Sequence, residues 1–496
     1  MKNRTLYYFL GFSAVFAIAI VYVFWGTWSL DFVPVMPDDS TFHAGSYGDW
    51  FAGWWRKVTS TGKILPTDLL WNGLLFSPYF CQELKYASAV FFAGLGLAFY
   101  LRGRGLDHFA CGSAGLLLAF SGYWLTLFSA GHGGWFVWMT YGVFAFGLAD
   151  RAVRRNRLRN WILLPLVVAW AGYQQQDLWL LFTIFTAAYF VWCCIRERKL
   201  PWKGALLALG VFAVAYIPGF IDSLNVVRNR EAQIEESKGT SLTGGKTNKA
   251  SDDKEARWIF VTNWSLPADE IAEFAIPRLN GDTSCPLVLS IGSRYRSGVK
   301  PYTGAIGRPT NAKAGNYRQH SVYVGWVTLI LALFGVVFSW RLDRDVRFFA
   351  IAGLITCLLS LGRYCEPLYR VIFALPVGDL IRCPVKWHHL TELSLCALAG
   401  FGLASIRAKL LKIRFLVPAI LVLIGVADLA YHASFYCAPI DVTRARQLKA
   451  GGQLTVLSRQ DFANPQVQEL QKRGFIVPVA NYLGNPDAFL VEILKK

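Results

Sequence analysis

The sequence predicts an all-α polytopic membrane protein with about eleven transmembrane helices and a small α/β extracytoplasmic segment at its C-terminus. Three observations carry that reading. Hydrophobic residues make up 54% of the 496-residue chain and charged residues only 17%, against about 25% charged in ordinary soluble chains. The apolar excess falls in blocks of roughly 17 to 25 residues, enough to cross about 30 Å of hydrocarbon as helix. Basic residues collect in alternate gaps between the blocks, which is the pattern that orients membrane helices.

Residues 1–26 open on MKNRTLYYFLGFSAVFAIAIVYVFWG, a basic start followed by a long apolar run without a small-x-small cleavage signal. That reads as an uncleaved signal anchor and first span, at 6–26. Residues 27–85 form a first extracytoplasmic loop, in which the tryptophans of YGDWFAGWWRKV suit a membrane interface. Spans 2–7 follow within 86–221, at 86–101, 108–124, 134–150, 160–173, 177–195 and 204–221. A long extracytoplasmic loop, 222–321, contains the polar tract QIEESKGTSLTGGKTNKASDDKEAR and then short apolar runs that suggest some packed structure. Spans 8–11 lie within 322–432, at 322–340, 346–362, 388–406 and 414–432, with a short charged outer piece at 363–387. In the extracytoplasmic tail, 433–496, QLTVLSR, GFIVPVANYLG and AFLVEILKK read as strands around one helix.

The charge pattern sets the orientation. Six short segments, at the N-terminus and at 102–107, 151–159, 196–203, 341–347 and 407–414, each carry two to five Lys or Arg, whereas the turns at 125–133 and 174–176 carry none. The positive-inside rule then puts the N-terminus in the cytoplasm and the C-terminus outside. On this reading the net charge of +18 is a topology signal, with attraction to anionic lipid as a secondary effect, and nucleic acid is not a partner.

Phosphate-loop, HExxH and ATP-binding signatures are missing from the sequence. Of ten cysteines, Cys111, Cys193, Cys194, Cys357 and Cys396 fall in spans as small apolar fillers, and Cys81, Cys285, Cys365, Cys383 and Cys437 fall outside them. A bridge between Cys365 and Cys383 across the third outer piece is an expectation of that division.

With this topology the unusual polar residues gather on the outer face. VMPDDSTFHAGSYGDW supplies Asp38, Asp39, His43 and Asp49; SAGHGGW supplies His132; GYQQQD supplies Gln174, Gln175, Gln176 and Asp177; GDLIRCPVKWHH supplies Asp379, Arg382, Lys386, His388 and His389. Ionisable groups at membrane depth are costly and tend to line a cavity or pathway. Each group also has a plainer explanation. Asp38 and Asp39 suit a solvated turn or a helix cap with Ser40, and His132 a glycine-flanked turn. The glutamines could satisfy backbone groups at a helix break, and Arg382 and Lys386, spaced one helical turn apart, could snorkel to the interface.

Five stretches, in order over roughly 160–406, resemble the YfhO family of bacterial membrane proteins, which are similar to GT-C-type glycosyltransferases. They are AGYQQQDLWLLFTIFTAAYFVW, AYIPGFIDSLNVVRNRE, TNWSLPADEIAEFAIPRLNGD, SVYVGWVTLILALFGVV and LIRCPVKWHHLTELSLCALAGFGLASI. The sequence departs from the family at Tyr173–Gln175, where His-Pro is usual. The resemblance implies a GT-C-like enzyme of the bacterial cytoplasmic membrane that transfers a sugar from a polyprenyl-phosphate-linked donor on the outer face. The acceptor would be a cell-envelope glycan, lipid or protein, with membrane lipids around the spans. It also implies a catalytic acid in the first outer loop, so Asp38 and Asp39 inherit the role of base, with Asp49 in reserve.

Such a transfer needs a carboxylate to take the acceptor proton and cations to hold the departing lipid phosphate. Arg382 and Lys386 suit the phosphate, and His43, His132, Gln174, Gln175 and His388 the sugar or phosphate. The sequence points to no definite cofactor. A divalent cation, Mg or Mn, would sit at Asp38 and Asp39 if one is held, although two adjacent carboxylates fall short of a metal motif. Two other classes stay open. One is a transporter or flippase of a lipid-linked glycan, which should show mid-span charges and an internal repeat. The other is a noncatalytic membrane assembly protein working through its loop and tail.

Overall fold

A helix overlies each apolar block that the sequence marks. The computed structural model describes residues 2–24, 78–130, 135–173, 176–228, 321–375, 381–409 and 415–437, much of 255–281, and a few positions besides, including 32–33 and 440–441. Helix α1 is Lys2–Val23, α2 Pro78–Gly103, α3 His108–Phe120, α4 Gly122–Ala130, α5 Trp135–Gly142, α6 Phe144–Arg155 and α7 Leu158–Ala171. Then come α8 Gln176–Glu197, α9 Trp202–Ala215, α10 Ile217–Arg228, α11 Trp326–Ser339, α12 Arg344–Ser360, α13 Glu366–Ala374, α14 His388–Lys409 and α15 Leu416–Tyr436.

Among the described residues, five helices are long and apolar enough to cross a membrane unaided: Thr5–Val23, Tyr86–Gly103, Asp177–Glu197, Pro384–Lys409 and Leu416–Tyr436. A sixth results if Arg344–Ser360 and Gly362–Ala374, bent by 112°, make one broken span. Several helices can thus cross a membrane, but fewer in one piece than the sequence pattern suggests, because three apolar blocks are interrupted. Ser121 leaves the helical region (φ −61°, ψ 146°) between α3 and α4. Val143 separates α5 from α6, and Tyr216 separates α9 from α10. Pro218, two residues past Tyr216, has no N–H to continue the ladder. The remaining shorter apolar helices, α7 and α11, have 14 residues each and reach only about 21 Å.

Helix α14 is the centre of the bundle, buried on all sides from His388 to Leu398 except at Leu395 and packed by α11, α12 and α3. Small residues permit the closest crossing. A Cβ on Gly335 of α11 would lie 2.2 Å from the Leu398 carbonyl oxygen, and one on Gly402 would lie 1.9 Å from that of Leu331. Close backbone approach of this kind is how helices gain packing where burial from water does not drive association. Around this axis the core is aromatic, with Trp124, Trp138, Tyr100, Tyr123, Tyr189 and Tyr323 buried.

Segments that the charge pattern groups on the cytoplasmic side converge at one end. Arg196 of α8 donates to Asp150 of α6 (2.6 Å) and to Asp345 of α12, and Arg154 donates to Asp150 (2.8 Å). Arg104, just past α2, lies 2.8 Å from Asp345 and 3.3 Å from Asp343. Tyr100 and Tyr189 donate their hydroxyls to Asp345 at 2.8 and 3.0 Å. Three guanidinium and three carboxylate groups thus close on one another. Burial alone would lower the Arg104 pKa, but Asp345, Tyr100 and Asp343 outweigh it and hold it above the ordinary arginine value. The secondary expectation of lipid attraction fails for Arg104 and Arg196, whose side chains are only 13% and 6% exposed and are committed to aspartates.

A two-stranded antiparallel sheet joins the start of the first loop to the chain beyond α15, with Phe32 opposite Asp441 and Val33 opposite Ile440. The rest of 27–77 and of the tail, including the expected α/β segment, lies outside the described residues. Cys365 carries a free thiol, so the expected Cys365–Cys383 bridge is not formed. Cys383 is held elsewhere, its N–H on the Val261 carbonyl.

Candidate functional site

At the end opposite the arginine–aspartate cluster, three turns separated by some 250 residues of sequence meet. They are the start of α5 at Trp135, the start of α8 at Asp177, and the entry to α14 at Lys386. Lys386 donates its ammonium to Asp177, and that ammonium lies 5.6 Å from the centroid of the Trp135 ring, within cation–π range. The lysine side chain is 7% exposed and the aspartate 18%. The pair therefore sits in a shielded setting, where charge interactions exceed their surface strength. The other carboxylate oxygen of Asp177 accepts the Leu178 N–H at 2.8 Å, which fixes the carboxylate in the first turn of α8.

Local sequence explains how Lys386 gets there. Cys383 takes a left-handed conformation (φ 61°) that reverses the chain. Pro384 then begins a short 3₁₀ turn, Pro384–Trp387, where its fixed φ suits the first helical position. The turn runs into α14 at His388. Two backbone bonds pin it, from Cys383 N–H to the Val261 carbonyl and from Val385 N–H to that of Trp264, each 3.1 Å. The partner segment holds part of the long loop in place: Arg363 donates to the carbonyls of Thr262 (3.1 Å) and Ile259 (3.2 Å). Within 258–281 the long loop is packed, with Ala268–Phe274 a 3₁₀ helix and Glu270 and Glu273 buried; most of the later half for which packed structure is expected, 282–320, lies outside the described residues.

Below Lys386 lies a fully buried carboxylate. Glu392, one turn into α14, accepts the Ser121 hydroxyl at 2.7 Å and the Tyr123 N–H at 3.1 Å, and lies 3.1 Å from His388 Nε2. It serves the backbone exposed where α3 breaks from α4 and puts negative charge at the N-terminal end of α4. The Gly122 N–H, also freed by the break, goes to the Tyr323 carbonyl at 2.8 Å.

The sequence-predicted residues fare differently. Lys386 stands in the site. Arg382 is exposed, with the left-handed Cys383 between the two, so they do not share a helical face as their spacing suggests. His388 is fully buried, its ring against Tyr123 and Phe274 and its Nε2 within 3.2 Å of the Val322 carbonyl. It is placed as a core residue beneath the site. Asp38, Asp39, His43, Asp49, His132, Gln174 and Gln175 lie outside the described residues, and so does Asp379. Among the described residues no group of three or more His, Cys, Asp or Glu could hold a metal ion.

Sequence reasoning missed the role of Glu392 and the pairing of Asp177 with Lys386. A glutamate inside WHHLTELSLCALAG, an otherwise apolar span, was a usable signal. Nothing in one sequence connects position 177 to position 386. Compared with known proteins, the chain matches no family model and no curated relative, so the likeness to the YfhO family rests on the quoted stretches alone.

Proposed function

We propose that the chain is an integral-membrane glycosyltransferase of the bacterial cytoplasmic membrane that transfers a sugar from a polyprenyl-phosphate-linked donor to a cell-envelope acceptor on the outer face. The supporting observation is one shielded lysine, Lys386, that meets the starts of α5 and α8, where the neighbouring turns 125–133 and 174–176 carry no Lys or Arg. In this reading the chain crosses the membrane about eleven times, with its N-terminus inside, its C-terminus outside and the arginine–aspartate cluster at the cytoplasmic end.

Asp39 or Asp38, with Asp49 in reserve, takes the proton of the acceptor hydroxyl as its oxygen bonds to the anomeric carbon. The bond from that carbon to the lipid phosphate breaks, and its electron pair leaves on the phosphate. Lys386 and Arg382 hold the growing negative charge. Replacing Asp38 and Asp39 together by Asn abolishes transfer while the protein still inserts, as measured by glycan transfer in membranes and by the amount of membrane-borne protein. Full activity of that variant removes the mechanism.

The alternative, a transporter or flippase of a lipid-linked glycan, draws on the broken α3–α4 helix with Glu392 at the break, since discontinuous helices mark many transport sites. Transport of the lipid-linked glycan across proteoliposomes without sugar transfer would favour it.

A further inference from the structure

We propose that Asp177 is a built-in occupant of the phosphate site: it holds the Lys386 ammonium until the phosphate of a polyprenyl lipid displaces it. This rests on the reading of Lys386 as a phosphate-binding lysine and adds a residue and an order of events that the reading does not contain.

Four features of the pair support it. Asp177 is the carboxylate that meets Lys386, through Oδ2 alone. Its Oδ1 is tied to the Leu178 N–H of its own helix. Lys386 reaches Asp177 from a turn anchored by two backbone bonds to residues 261–264, and its ammonium lies 5.6 Å from the Trp135 ring centroid. The lysine backbone is therefore fixed independently of the aspartate, while its ammonium, on a flexible stem, rests between Asp177 and the Trp135 ring. Finally, the two side chains are 7% and 18% exposed, so the pair is shielded yet the carboxylate is the more open partner.

A shielded lysine without an anion would carry a heavy desolvation cost. An internal carboxylate removes that cost in the empty protein. The monoester left on the lipid after transfer presents more charge and more acceptor oxygens than one carboxylate, the diester of the donor presents one charge over two free oxygens, and Asp177 can turn away from either about its side-chain bonds. An acidic residue this close to an arriving phosphate also weakens net affinity, which helps the lipid product leave after transfer.

The test is binding of undecaprenyl monophosphate to the full-length chain in nanodiscs. Asp177→Asn is expected to tighten binding by about tenfold, the factor that corresponds to removing a competing charge worth about 1.4 kcal/mol. Lys386→Gln is expected to lose binding by a similar factor or more. If Lys386→Gln binds as tightly as the unaltered chain, the phosphate reading of the lysine fails, and this inference with it. If Lys386→Gln loses binding while Asp177→Asn is unchanged or weaker, the lysine keeps its role and the displacement idea alone is overturned. Should Asp177→Asn not accumulate, hydrogen exchange of the unaltered chain decides. Displacement predicts faster exchange in residues 176–182 when the lipid phosphate binds, and unchanged or slower exchange there contradicts it.

Discussion

Glu392 shows how much one side chain can decide in an apolar bundle. Its carboxylate serves a hydroxyl and a backbone N–H at the α3–α4 break and a histidine ring one turn back on its own helix, all out of reach of water. Removing it leaves those donors unsatisfied. Glu392→Ala is expected to lower stability by about 3–5 kcal/mol, read as a fall in the melting midpoint of the detergent-solubilised protein, and Glu392→Gln should recover part of that loss. An unchanged midpoint for the alanine variant would mean that the break at Ser121 does not depend on this carboxylate. At this scale the sequence was half legible. That Lys386 matters could be read from a cation beside a proline at a span's start. That His388 belongs to the core could not, because a histidine between Trp387 and His389 looks the same whether it faces a substrate or the ring of Phe274.

Helix α14 carries both the site and the bundle's tightest crossing, so packing and function are coupled along it. Lys386 stands at its entry, Glu392 one turn in, and Gly402 nearer its far end against the Leu331 carbonyl. Gly402→Val leaves no room for the two backbones at their present separation. It is expected to cost about 1–3 kcal/mol or to prevent accumulation altogether, whereas Gly210→Ala, at a position with open space around it, should be silent. Thermal unfolding of the two variants side by side checks the contrast. Helical elements were the most legible part of the chain, because blocks of apolar residues can satisfy their backbone in lipid only as helix. Their interruptions were not legible. Ser121 breaks a span through contacts with residues some 200 to 270 positions away, and local pattern holds no trace of such partners.

For the molecule as a whole, the buried charged contacts gather at two opposite ends of the bundle. Segments rich in Arg and Lys close into the cluster around Asp150 and Asp345, and at the other end Lys386 meets the starts of α5 and α8, which follow turns without Lys or Arg. That three of those arginines are neutralised was not legible in one sequence, since the aspartates lie in different segments. Arg196→Gln should therefore act on stability more than on orientation, costing about 3–5 kcal/mol by leaving Asp150 and Asp345 short of a partner. Its melting midpoint should fall while the sidedness of its loops stays the same. The two-ended arrangement is tested most directly by labelling single cysteines with a membrane-impermeant maleimide in intact cells, in a chain whose ten native cysteines have been replaced. The positions are Arg382→Cys, beside the lysine site, and Arg155→Cys, beside the arginine–aspartate cluster; both are exposed. Labelling at 382 from outside, with 155 reacting only after the membrane is opened, is the predicted result. The reverse pattern, or equal labelling of both from one side, would contradict it.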